Sequence, residues 1–235
     1  GSGGYYSDFC GGGGGGGSYG SGSSSTDPVI QVDIETQDEF EPIDIEKFVK
    51  CFTAIPDAGA TCTIEIFADI PVDSDPMKIF NFTSRSPGHA FLNIRKSNGS
   101  QSASQNIGFY PKADWKSILT SAPIDGKFVN NSLHEFNASF RLNITPAQLQ
   151  AAIMEMLRSK NYKYDIDNYN CTDWALNVFN AAGGNLQIPL YDIPGNTMSV
   201  GTKTPNGVYN KLKEMKSRND PRAPGITIGL VKGFA

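Results

Sequence analysis

The sequence predicts an α+β protein: one antiparallel sheet packed against a helix that begins at Cys171, with a β extension on its N-terminal side. Three observations carry this. "GHAFLNIRK" alternates with the period of a strand, placing Ala90, Leu92 and Ile94 on one face and His89, Phe91, Asn93 and Arg95 on the other. "SLHEFNASFRLNI" repeats that period and reads as the longest strand, with Phe136, Ala138, Phe140, Leu142 and Ile144 on its apolar face and His134 in the same register. Two later segments, opening at Thr145 and Asn170, carry helix start signals followed by apolar residues at three- and four-residue spacing.

Taken in order, the chain opens on a Gly/Ser-rich tether over 1–28, in which 12 of the first 25 residues are glycine. Such a stretch buries too little surface to offset its backbone entropy, and it reads as the join to an upstream domain. Its glycine run lacks the preceding strand and following Gly-Lys-Ser/Thr of a phosphate loop. An N-terminal β extension is expected over 29–84: "PVIQVDIE" alternates weakly, and "EPIDIEKFVKCFTAIP" with "ATCTIEIFADIPV" reads as a strand pair across Pro56-Asp57-Ala58-Gly59.

The catalytic core is expected over 85–200. "GHAFLNIRK" and "NIGFYP" form a hairpin across the polar turn "SNGSQSASQ", and "ADWKSILTS" is a short helix. After the long strand, Thr145-Pro146-Ala147-Gln148 sets a capping box with proline at the first helical position. Asn170 caps the next helix, which stops at Gly183-Gly184. A C-terminal extension over 201–235 packs on this core and contains the helical pattern "NGVYNKLKEMKS".

The chain has 235 residues, 39% of them hydrophobic, enough for one good core. A net charge of −4 and a pI near 5.2 give no basic footprint for nucleic acid. No apolar run approaches the ~20 residues that span a bilayer. The four cysteines, at 10, 51, 62 and 171, have neither paired spacing nor nearby histidines, so no structural zinc or other cofactor is expected. Cys51 and Cys62 are read either as a bridged pair on neighbouring strands or as two independent buried thiols. Six Asn-x-Ser/Thr sequons include Asn170-Cys171-Thr172; a glycan there would cover Cys171, so a functional cysteine favours a bacterial origin.

Cys171 falls in the first turn of its helix, on the stripe that faces the sheet. Unpaired N–H groups and the positive end of the helix dipole favour a thiolate there, whose ordinary pKa is ~8.5. Cysteine is also among the most buried residue types, so packing stands beside chemistry as a reading. A thiolate needs a proton shuttle, and His89 at a strand start is preferred over His134, which reads as a core histidine. Asp173 reads as a first-turn carboxylate, Asn170 as the cap, and Trp174 as core or the wall of a groove. The pair Asp165 and Asp167 lacks the remaining ligands of a calcium loop.

"GHAFLNI", "IGFYP", the Thr-Pro helix start and "YNCTDWALNVFNAAG" resemble the circularly permuted branch of the NlpC/P60 papain-like superfamily, in which the histidine strands precede the cysteine helix, as in lecithin:retinol acyltransferase-like proteins. They also resemble C-terminal modules of bacterial RHS-type and polymorphic-toxin proteins. The resemblance covers about residues 86 to 184 and implies Cys171 as nucleophile and His89 as base. The family's third, orienting residue does not carry over: Gly108 stands near its place, with Asn106 and Tyr110 on the same strand face. The resemblance implies a secreted or cell-surface cysteine amidase or peptidase acting on peptidoglycan stem peptides or another peptide. The alternatives are an acyltransferase or lipase on the same fold, and an inactive papain-like binding module of a longer secreted protein.

Overall fold

A computed structural model describes residues 42–112, 122–193 and 201–232. The tether, "PVIQVDIE" and "ADWKSILTS" lie outside the described residues.

The first element is a helix where a strand is expected. Helix α1 spans Ile45–Thr53, capped by Asp44, whose side chain accepts from the N–H groups of Glu46 and Lys47. Ile43 and Ile45 alternate as a strand would, but Ile45, Phe48, Val49 and Phe52 recur at helical spacing and all four are buried. Lys96 closes the other end, its Nζ donating to Phe52 O (3.0 Å) and Ile55 O (2.6 Å) and pairing with Asp57. Cys62 is a free, buried thiol, so the Cys51–Cys62 bridge is not made.

Strands β1 (Thr61–Asp69), β2 (His89–Asn98), β3 (Gln101–Pro111), β4 (Ile124–Asn130), β5 (Phe136–Ile144), β6 (Lys163–Tyr164) and β7 (Ile226–Val231) form one antiparallel sheet in the order β6-β4-β3-β2-β1-β5-β7. The expected hairpin of β2 and β3 is present, and β3 rather than β5 is the longest strand. Strand β1 is no separate annex. It lies in the middle of the sheet between β2 and β5, and its last six residues are all buried. Buried apolar residues on both faces, Ile64, Ile66, Phe67 and Ala68, are what a strand covered on both sides requires.

Helices α2 (Pro146–Arg158), α3 (Cys171–Ala181) and α4 (Pro205–Ser217) join α1 on one face. The expected capping box at Thr145 and Gln148 is formed. Helix α3 ends at Gly183, where φ is +90°, a conformation glycine adopts without strain. Residues 201–232 complete the core rather than decorate it. Val208, Leu212 and Met215 of α4 are buried with Ile64, Ile66 and Phe140, and β7 pairs with β5 at the sheet edge.

The two faces of the sheet differ. Ala90, Leu92 and Ile94 of β2 pack under the helices with Trp174, Ala175, Val178 and Phe179 of α3. On the other face Phe67, Phe91 and Phe136 make a small cluster, with the rings of Phe67 and Phe91 stacked at 4.6 Å. Phe136 departs from the expected apolar face of β5, because the register between Phe136 and Ala138 is irregular and turns it to the second face.

Candidate functional site

Asn170 builds the start of α3. Its backbone is extended (φ −104°, ψ −171°), and its Oδ1 accepts from Thr172 N at 2.8 Å and Asp173 N at 3.3 Å. Asp173 Oδ2 accepts in return from Asn170 N at 3.1 Å, completing a capping box. Asn170 Nδ2 donates to Ile166 O and Lys203 O, each at 2.9 Å, which ties three chain segments together. The amide is committed, so the sequon at Asn170 is closed in the folded chain.

Cys171 follows this cap and is only 4% exposed. Its sulfur lies 3.9 Å from Thr172 Oγ1 and faces a cavity of about 10 Å³ lined by Pro87, Gly88, Ile193, Lys203 and Thr204. Burial raises the Asp173 carboxyl above its ordinary range, while Lys203 Nζ, 2.8 Å from Oδ1, and the Asn170 amide draw it back.

His89 lies on the second face and is 1% exposed. Its ring stacks along the strand on Phe91 (5.9 Å, 11°) and lies 4.2 Å from the Tyr110 ring and 5.1 Å from that of His134. Nε2 meets Asn131 Oδ1 at 3.4 Å, and Asn131 Nδ2 donates to Tyr110 Oη at 2.6 Å. Burial first, and His134 second, hold the His89 pKa well below 6.5, with the Asn131 contact opposing them.

The His89 ring thus packs with Phe91 on the second face, while α3, which Cys171 opens, packs on the face of Ala90, Leu92 and Ile94. The β1–β2 register runs without a break from Ser97 to His89, so side chains alternate to its end. Gly88, just before β2, lines the same cavity as Cys171, and His89 stacks on Phe91.

The other expected residues divide between the two faces. Asn170 and Asp173 stand with Cys171. Trp174 is fully buried against Phe128 (5.4 Å) and walls no groove. Tyr110 stands with His89, whereas Asn106 is engaged by Asn93 Nδ2 at 3.1 Å. His134 sits on the turn before β5, beside His89, rather than on a strand face. Sequence reasoning missed Asn131, which lies in a polar turn whose register nothing in the periodicity sets. Gly108 did carry a signal: a Cβ there would stand 2.0 Å from Asn131 Oδ1 and 2.5 Å from His89 Nε2, so the His89–Asn131 contact requires glycine.

Among the described residues no group of three or more His, Cys, Asp or Glu side chains is placed to hold a metal ion, and no helix is long and apolar enough to cross a membrane. No family model, curated protein or solved structure matches the chain.

Proposed function

We propose that this chain is a papain-like scaffold used for recognition rather than hydrolysis: a peptide-binding module of a longer, secreted bacterial protein. The observation that supports this reading is that α3, which Cys171 opens, packs on the face of Ala90, Leu92 and Ile94, while the His89 ring packs with Phe91 on the other. A thiol only 4% exposed beside a small cavity suits packing. Met77, Phe82 and Leu190, each more than half exposed, are the apolar side chains that binding would draw on.

Cysteine amidase or peptidase action is the second reading, and one observation favours it. Asn131 holds Nε2 of His89, leaving Nδ1 as the nitrogen to take a thiol proton, and the N–H of Cys171 opens a helix that favours an oxyanion. It requires residues 87–89 to rotate by one strand position. Acyl transfer would use the same pair and has the same requirement.

One experiment separates these readings: a peptide library, including peptidoglycan stem peptides, scored for binding and cleavage together. Binding without cleavage, weakened by Phe82→Ser or Leu190→Ser, is the expected result. Cleavage abolished by Cys171→Ser replaces the recognition reading with the hydrolase. Neither binding nor cleavage removes both.

A further inference from the structure

We propose that the connection between β1 and β2, residues 70–88, is a lid that gates Cys171, lifting while the sheet stays folded. The inference stands on either reading of the function, since it concerns access to the thiol and not what the thiol does.

Asp69 and His89, the last residue of β1 and the first of β2, are register partners, so the connection leaves and rejoins the sheet at one point. Antiparallel neighbours are ordinarily joined by about 2–5 residues, and a connection beyond about 15 without a helix or strand is uncommon outside functional loops. This one runs from Ile70 to Gly88 with neither among these described residues. It is tied to itself. Asn81 and Ser86 form an isolated bridge, Asn81 Nδ2 donates to Pro71 O at 3.0 Å, and Asn81 Oδ1 accepts from Thr83 N and Ser84 N. These contacts travel with the loop when it moves. At its base Gly88 has φ +77°, and a Cβ there would stand 2.4 Å from Asp69 O, so the closure needs glycine.

The loop walls the Cys171 cavity through Ile79, Pro87 and Gly88, opposite Thr204 and Pro205 at the start of α4. Side-chain amides fasten it there. Asn206 Nδ2 donates to Pro76 O at 2.8 Å and Lys78 O at 3.1 Å, and Asn210 Nδ2 donates to Pro76 O at 3.5 Å. On β5, Asn137 Oδ1 accepts from Ile70 N at 2.8 Å and its Nδ2 donates to Asp73 Oδ1 at 2.7 Å. Water replaces such bonds at modest cost once the loop lifts. Closure also carries a penalty of its own: Asn206 is fully buried, and among the described residues its Oδ1 has no hydrogen-bond partner. Ile79 and Phe80 are buried, whereas Met77 and Phe82 stand exposed. Lifting the loop therefore gives up two apolar side chains and a few amide bonds, far less than unfolding the sheet.

The test is the rate at which iodoacetamide labels Cys171 and Cys62 in the unmodified chain, from no urea to just below the unfolding transition, read by peptide mass spectrometry. Both thiols are free and 4% exposed, and Cys62 lies on β1 in the middle of the sheet, so it is the internal reference. Labelling of Cys171 should be the faster and nearly independent of urea, because lifting a loop exposes little surface, while labelling of Cys62 should rise steeply. Asn206→Ala removes two fastening bonds and should speed Cys171 about tenfold. Lys96→Met, whose lost contacts to Phe52 O and Ile55 O survive in the open-lid state, should leave the Cys171 rate unchanged. The lid is overturned if Cys171 follows the urea dependence of Cys62, if Lys96→Met speeds it as much as Asn206→Ala, or if Asn206→Ala leaves it unchanged. The urea comparison decides alone if either variant fails to fold.

Discussion

Gly108→Ala isolates the packing of the His89 cluster with one methyl group. The new Cβ would stand 2.0 Å from Asn131 Oδ1, 2.5 Å from His89 Nε2 and 2.8 Å from Tyr110 Cε2, all closer than real contacts allow. Gly108 does not occupy the left-handed region, so alanine is not strained by the backbone and the cost is steric. Overpacking a dense site costs about 1–3 kcal/mol, and losing the His89–Asn131 contact adds about 1 kcal/mol. The expected destabilisation is therefore about 2–4 kcal/mol, read as a shifted urea midpoint at unchanged slope. In an Asn131→Ala background the nearest clash is gone, so the same substitution should cost at least about 1 kcal/mol less. A change below about 0.5 kcal/mol in the parent, or additive costs in the double variant, would refute the claim that glycine is there to admit the imidazole–carboxamide contact.

Three further outcomes are expected. Asn170→Ala removes the α3 cap and leaves the Ile166 and Lys203 carbonyls without their donor, and should cost about 2–4 kcal/mol in denaturant unfolding. Lys96→Met uncovers the Phe52 and Ile55 carbonyls and should cost about 2–4 kcal/mol, whereas Asp57→Asn, at a side chain 73% exposed, should cost less than about 1 kcal/mol. Because His89 titrates lower folded than unfolded, the unfolded chain takes the proton first. Stability is then complete above about pH 6.5 and lost as pH falls below it, and His89→Asn should flatten that fall in unfolding measured from pH 7.5 to 5.

What was legible in the sequence was local. The caps at Thr145 and Asn170 and the β2–β3 hairpin depend on residues close in the chain, and all three are formed, although the hairpin's turn is Gly99-Ser100 and the rest of "SNGSQSASQ" belongs to the paired strands. The reading of 45–53 as a strand failed because two alternating isoleucines precede a helical pattern that only Asp44 announces. The central place of β1 was hidden because pairing with β5 joins residues some 76 positions apart, as Glu65 and Arg141 do. At the site, the alternation of "GHAFLNIRK" was legible, with His89 on the face opposite Ala90, and so was the packing of α3 against an apolar face.

The most direct measurement is the pH dependence of Cys171 alkylation by iodoacetamide, read by peptide mass spectrometry in the parent chain and in His89→Asn. Slow labelling with the same profile in both is predicted, since the sulfur is buried and the imidazole packs with Phe91. A midpoint well below ~8.5 that returns toward it in His89→Asn would contradict the account, because only a thiol in contact with that imidazole behaves so.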